Sequence, residues 1–234
     1  MKKIVPSFEF TINGLRVCIF SSHKPDTPVI YLHDLDGMGR QVLQNTDRQE
    51  FSLVTITVPD DQWSDLLAPW PTPTGWPQYV ACGSGAKEYL RVFVEQIIPE
   101  AEKRLEPISW RGIAGYSLAG LFAIYASCLT PMFDRVASAS GSLWYPGFDA
   151  WFNDHLPTRL PEAVYFSCGS EEFNTGNPYL SPVRETTQTL EKWFEAHGVQ
   201  TILQINPGNH YTDVLQRTKT AVLWILDHPE NSAQ

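Results

Sequence analysis

A chain of 234 residues, 43% hydrophobic and 18% charged, has the makeup of an ordinary globular protein with a sizeable core, which excludes disorder and fibrous structure. Its formal net charge of -9, with no cluster of Lys and Arg, excludes a nucleic-acid surface, because phosphate binding needs clustered cations. No apolar stretch approaches a bilayer-spanning length, and the start MKKIVPSFEF has no apolar signal region, so the expectation is a single cytoplasmic domain over 1–234 with no membrane partner.

The chain opens on β-prone runs at 8–12 and 15–20 joined by Asn13-Gly14, which reads as a tight antiparallel hairpin. Further strands are predicted at 28–33, 51–58, 108–114, 135–140, 163–168 and 201–205. They alternate with helical patterns at 86–105, 118–129, 183–197 and 211–226. That alternation is the mark of an α/β protein with a mostly parallel central sheet, here of about eight strands, and helices on both faces. Two segments, 59–85 and 142–161, fit neither period and read as irregular loops. They carry Trp63, Trp70, Trp76, Trp144 and Trp151, and are expected to overhang a site for a bulky or aryl ligand. Cys18, Cys82, Cys128 and Cys168 are widely spaced with no Cys-x-x-Cys pair and read as mostly buried thiols.

The segment ISWRGIAGYSLAGLFAIYASCL runs from an apolar strand through Gly-Tyr-Ser-Leu-Ala-Gly into an apolar helix. A nucleophile elbow requires this context, since it holds a serine out on a strained turn where strand and helix nearly touch and the flanking residues must be small. Gly115, Ala119 and Gly120 meet the requirement, with Ala119 standing where the stricter motif has Gly. Ser117 is therefore the candidate nucleophile of an α/β-hydrolase. The amide of Leu118, at the helix start, is a candidate oxyanion donor.

In this fold the partners follow the nucleophile in the order acid, then histidine, each beyond a strand's carboxyl end. Of the histidines after Ser117, only His210, in INPGNHYTDV, directly follows a strand in a Gly-containing loop. His155 lies in a Trp-bearing loop, His197 reads as a helix C-terminal residue, and His228 is near the chain's end. The acid falls at Glu171 or Glu172, delivered by the strand AVYFSCG, and it would fix the imidazole tautomer and stabilise the imidazolium. A second oxyanion amide is expected from Leu35 or Asp36 in VIYLHDLDGMGR, where His33 reads as a strand-end residue shaping the pocket.

These segments together resemble the esterases of the esterase D and enterochelin esterase group. GYSLAG, ASGSLWYP, the Gly-x-x-Glu of Gly169 to Glu172 with Thr175 and Asn177 behind it, and PGNH ending at His210 all follow that group's pattern over most of the chain. The resemblance favours Glu172 as the acid. It implies a single-domain serine hydrolase cleaving carboxylic esters, a group that includes enzymes of siderophore trilactones, acylated sugars and small thioesters. The sequence departs from it in the third-strand loop, where DLDG stands for a simpler Asp-Gly.

The expected chemistry is a two-step acyl transfer at Ser117 that needs neither metal nor organic cofactor. The expected partner is a small-molecule ester, with Trp144 and Trp70 as substrate-binding candidates, and the composition leaves a homo-oligomer open. An acyltransferase using the same residues and a catalytically silent binding relative are the competing readings.

Overall fold

The computed structural model describes residues 4–35, 37–48, 50–73, 82–174 and 180–227. Eight strands are formed: β1 (Phe8–Ile12), β2 (Leu15–Phe20), β3 (Thr27–Asp34), β4 (Ser52–Thr57), β5 (Ile108–Tyr116), β6 (Arg135–Ala139), β7 (Ala163–Gly169) and β8 (Gln200–Asn206). They make one sheet in the order β1-β2-β4-β3-β5-β6-β7-β8. The β1–β2 and β2–β4 pairs are antiparallel, whereas β3–β4, β6–β7 and β7–β8 are parallel. The architecture is an α/β-hydrolase fold with a mostly parallel sheet. Among the described residues no helix is long and apolar enough to cross a membrane.

The chain falls into two compact units, Met1–Gly112 and Ile113–Gln234. In the first, the β1–β2 hairpin turns on Asn13 and Gly14, both at positive φ (49° and 81°), the pair of left-handed residues that matches the strands' twist. β3 and β4 are buried runs, as parallel strands covered by other elements should be. This unit also carries α1 (Met38–Gln44), α2 (Asp60–Leu67), α3 (Ala86–Val92) and α4 (Ile98–Glu102). A π-helical turn, Phe93–Ile97, joins α3 to α4, with the Ile98 amide reaching back to the Phe93 carbonyl. Pro99 explains it: proline has no N–H for the ordinary bond four residues back, so the ladder widens ahead of it.

In the second unit β6 and β7 are buried throughout and β8 is half-exposed. The helices are α5 (Leu118–Leu129), α6 (Phe148–Asp154), α7 (Val183–Ala196) and α8 (Val214–Asp227). α5 is buried along nearly its whole length. α7 is amphipathic, burying Val183, Thr187, Leu190 and Phe194 at helical spacing.

The structure corrects the sequence reading in four places. Segment 59–85 is not wholly irregular, because α2 starts directly after Pro59 with Asp60 and Asp61 in its first turn, where acidic side chains offset the helix dipole. Segment 142–161 holds α6, seated by Phe148 and Phe152 one turn apart. The predicted helix 86–105 is interrupted by the π turn and stops at Glu102. The last helix begins at Val214 instead of residue 211, because Asp213 has a positive φ of 52° that ends the preceding turn.

Candidate active site

Ser117 sits between β5 and α5 with φ 60° and ψ -124°, a conformation L-residues rarely adopt. Three backbone bonds hold it there: its amide donates to the Ala139 carbonyl (3.1 Å), and its carbonyl accepts from Leu121 N–H (3.0 Å) as α5 begins and from Ser142 N–H (3.0 Å). The close approach explains the flanking residues. A Cβ on Gly115 would lie 2.3 Å from the backbone C and O of Ala119, and one on Gly120 would lie 3.0 Å from Gly141 Cα. The turn leaves Ser117 and Leu118 half-exposed between buried Tyr116 and Ala119. Leu118 is the first residue of α5, so its amide is among those a helix start leaves without an intrahelical partner.

His210 lies in the loop after β8, on a turn set by Asn209, whose Oδ1 accepts from Tyr211 N–H at 2.9 Å. Its Nε2 is 3.0 Å from Ser117 Oγ and its Nδ1 is 3.1 Å from Glu172 Oε2. With Glu172 ionised, Nδ1 must carry the proton and donate to the carboxylate, which leaves Nε2 to accept from the serine hydroxyl. Glu172 is 3% exposed. Burial pushes its carboxyl upward, but the hydrogen bond and charge of His210, the Gly169 amide and Ser140 outweigh that, so the group is held below the ordinary carboxylate value. The adjacent Glu171 is exposed, its amide donating to the Gly208 carbonyl at 3.0 Å.

Leu35 is 42% exposed in the first unit just after β3, and Asp36 lies outside the described residues. His33 is enclosed at the end of β3. It is 1% exposed, its ring in edge contact with Tyr89 and Phe93 (centroids 5.5 and 4.8 Å), and burial drives its pKa down to about 3, so it is neutral. His155 and His197 cap the ends of α6 and α7, each stacked on the Trp four residues earlier, and His228 is outside the described residues. Trp144 is half-buried two residues beyond Ser142, whose hydroxyl lies 3.4 Å from Ser117 Oγ. Trp151 is a packing residue, stacked on Tyr125 at 4.8 Å. Trp63 and Trp70 are half-buried in the first unit, and Trp76, Thr175 and Asn177 lie outside the described residues.

Sequence reasoning missed Arg217, which is 2% exposed and donates to Glu172 Oε1 at 3.1 Å. It also missed Tyr116, whose hydroxyl donates to the His210 carbonyl at 2.6 Å. A signal for Arg217 existed. It stands four residues before Ala221 and eight before Ile225, on the buried stripe of α8, where a lone cation needs a buried partner.

With this geometry in place, comparison with known proteins adds the family. The sequence profile of the family described as "Putative esterase" matches residues 19–204. The chain belongs to that family. Membership supports hydrolysis of an ester bond, in line with the group the sequence resembles. The uncharacterized protein YbbA of Bacillus subtilis (strain 168) is 30% identical over 223 residues, 88% of each chain. Among solved structures, the siderophore hydrolase EstA from Aspergillus nidulans superposes with a TM-score of 0.73 at 16% identity, covering 91% of this chain and 89% of its own. The BES protein from Bacillus cereus gives 0.72 at 17% identity, covering 98% of each chain. At these identities the likeness to both structures is one of fold.

Proposed function

We propose that this family member is a serine esterase with Ser117 as nucleophile, His210 as general base and Glu172 as the acid that orients it. The observation that carries the reading is the unbroken chain of contacts Ser117 Oγ, His210 Nε2, His210 Nδ1, Glu172 Oε2, at 3.0 and 3.1 Å. The strained backbone at Ser117 supports it independently.

In the first step Nε2 takes the Ser117 proton as Oγ bonds to the ester carbonyl carbon. The carbonyl electron pair moves onto oxygen, where the Leu118 amide at the start of α5 receives it. Collapse breaks the bond to the alcohol, which leaves with the proton from the imidazolium. Water repeats the sequence on the acyl-enzyme and releases the acid. The substrate is a small-molecule carboxylic ester. The siderophore hydrolase among the structural neighbours makes siderophore esters one class to include in a screen.

The test is labelling by a fluorophosphonate together with hydrolysis of p-nitrophenyl acetate and butyrate. Ser117→Ala should take no label and lose at least ~10³-fold in kcat, and Glu172→Gln should lose roughly 10²- to 10⁴-fold. Glu171→Gln, an exposed change, should stay within about two-fold of the parent. Labelling that survives Ser117→Ala, or a parent inert to probe and esters, would sink the reading.

A further inference from the structure

Arg217 projects from the face of α8 that buries Ala221, Val222 and Ile225. Only 2% of its side chain is exposed, so its charge has left water and persists because protein groups replace its hydration. Nη1 donates to Glu172 Oε1 (3.1 Å), the Tyr116 hydroxyl (3.3 Å) and Ser140 Oγ (3.3 Å), and Nη2 donates to the Pro207 carbonyl (2.7 Å). Tyr116 extends the connection to the His210 carbonyl. One side chain thus ties together the residue before Ser117, the end of β6, the loop holding Glu172 and the loop holding His210. The backbone leaves room for it. A Cβ on Gly169 would come 3.1 Å from Arg217 Nη1 and 2.4 Å from the Gly208 carbonyl oxygen.

We infer that Arg217 is a positioning residue of the esterase site, whose charge offsets that of Glu172 and so keeps the imidazole of His210 free of a proton at lower pH than Glu172 alone would allow. The inference rests on the esterase reading above. A buried carboxylate 3.1 Å from an imidazole strongly favours the imidazolium, and a protonated Nε2 cannot accept the serine proton. With Arg217 on the other carboxylate oxygen, the Glu172–Arg217 pair is neutral overall. Protonating His210 then places a net positive charge in a buried cluster instead of neutralising a negative one. The Gly169 amide, donating to Oε1 at 2.6 Å, joins Arg217 in turning Oε2 toward His210.

The other ionisable groups around the pair do not supply this charge. Burial pushes up Tyr116 on β5 and Tyr165 and Cys168 on β7, so all three are neutral at working pH. Arg184 of α7 acts on Cys168 from a distance. Glu171 and Asp213, on the two loops, are exposed and screened by water, as is Tyr211, whose ring meets that of His210 at 5.3 Å.

The test is the second-order rate of fluorophosphonate labelling from pH 5 to 9 for the parent, Arg217→Gln and Arg217→Lys, with Ser117→Ala as blank. Arg217→Gln should move the acid limb up by about one pH unit, so that labelling on the acid side slows about ten-fold more than the plateau does. Arg217→Lys keeps the charge and should leave the limb in place while lowering the plateau, because one ammonium cannot replace both forks of the guanidinium. A purely structural role would lower the plateau of Arg217→Gln and leave its limb at the parent's pH, and that result overturns the inference. If Arg217→Gln does not fold, Glu172→Gln is compared with the Glu172→Gln, Arg217→Gln double variant, from which the buried pair has been removed as a unit. The limb should lie higher in the double variant, and coincident limbs overturn the inference. A parent that takes no label at any pH overturns the esterase reading and this inference with it. A labelled parent with an unshifted Arg217→Gln limb overturns this inference alone.

Discussion

At Ser117, backbone strain and close packing are two sides of one requirement. Holding a non-glycine residue at φ 60° costs on the order of 1–3 kcal/mol, and the surrounding contacts must hold it there. Gly115 is where that can be tested without touching a reacting group. A methyl at this position meets the Ala119 backbone, which cannot swing aside as a flexible side chain would. Gly115→Ala should therefore push β5 from α5, destabilise the protein by about 1–3 kcal/mol and cut the labelling rate at Ser117 more than that loss alone explains. Ala119→Gly produces the stricter motif, removes one buried methyl and adds a helix glycine, so a stability cost of about 1 kcal/mol with labelling preserved is expected. Thermal unfolding and probe kinetics on the two variants check both outcomes. A Gly115→Ala protein that labels normally would show that the contact is not what shapes the turn.

At the scale of elements, buried strands were the readable part of the sequence. Runs such as Val-Ile-Tyr-Leu in β3 and Ala-Val-Tyr-Phe in β7 have no amphipathic alternative, and Asn13-Gly14 names its own turn. The helices α1, α2 and α6 were not readable as periods, since seven or eight residues make barely two turns. Ser117, His210 and the pair Glu171 and Glu172 could be named because each follows a strand in a fixed order, and the resemblance chose Glu172 from the pair. Arg217 could be flagged as a buried cation but not given its partners, because they lie 10 to 101 residues away on several elements. His33 shows the same limit. Its place at the end of β3 was readable, but not that Tyr89 of α3 and Phe93 of the π turn enclose it. That enclosure sets a pH dependence. The unfolded chain takes a proton on His33 near pH 6.5, but the folded chain does not until about pH 3, so stability should fall as pH drops from about 6.5 toward 3. The loss from this group is about 1.4 kcal/mol per pH unit once well inside that window. Urea unfolding at pH 5 and 7 should show His33→Phe losing less stability than the parent between those values. Equal losses would mean the enclosure relaxes to admit the proton.

For the whole molecule the relevant quantity is the formal net charge of -9 at pH 7, which depends on composition and not on the placement of any one group. A chain so charged repels anions at distances beyond a contact, and salt shortens the reach of that repulsion to roughly 8 Å at physiological ionic strength. Within the site the buried cation Arg217 is already matched by Glu172. An ester carrying carboxylate or sulfonate groups should therefore be turned over with a kcat/KM that rises about two- to five-fold as ionic strength goes from ~10 to ~150 mM at pH 7. A neutral p-nitrophenyl ester should change little over the same range, which separates the effect from any general action of salt on the enzyme. The difference should also shrink as pH approaches the sequence pI of about 5.1, where the repelling charge disappears. If kcat/KM for the anionic ester instead fell with salt, a local cationic surface near Ser117 would have to outweigh the net charge, and the site would be built for anionic esters.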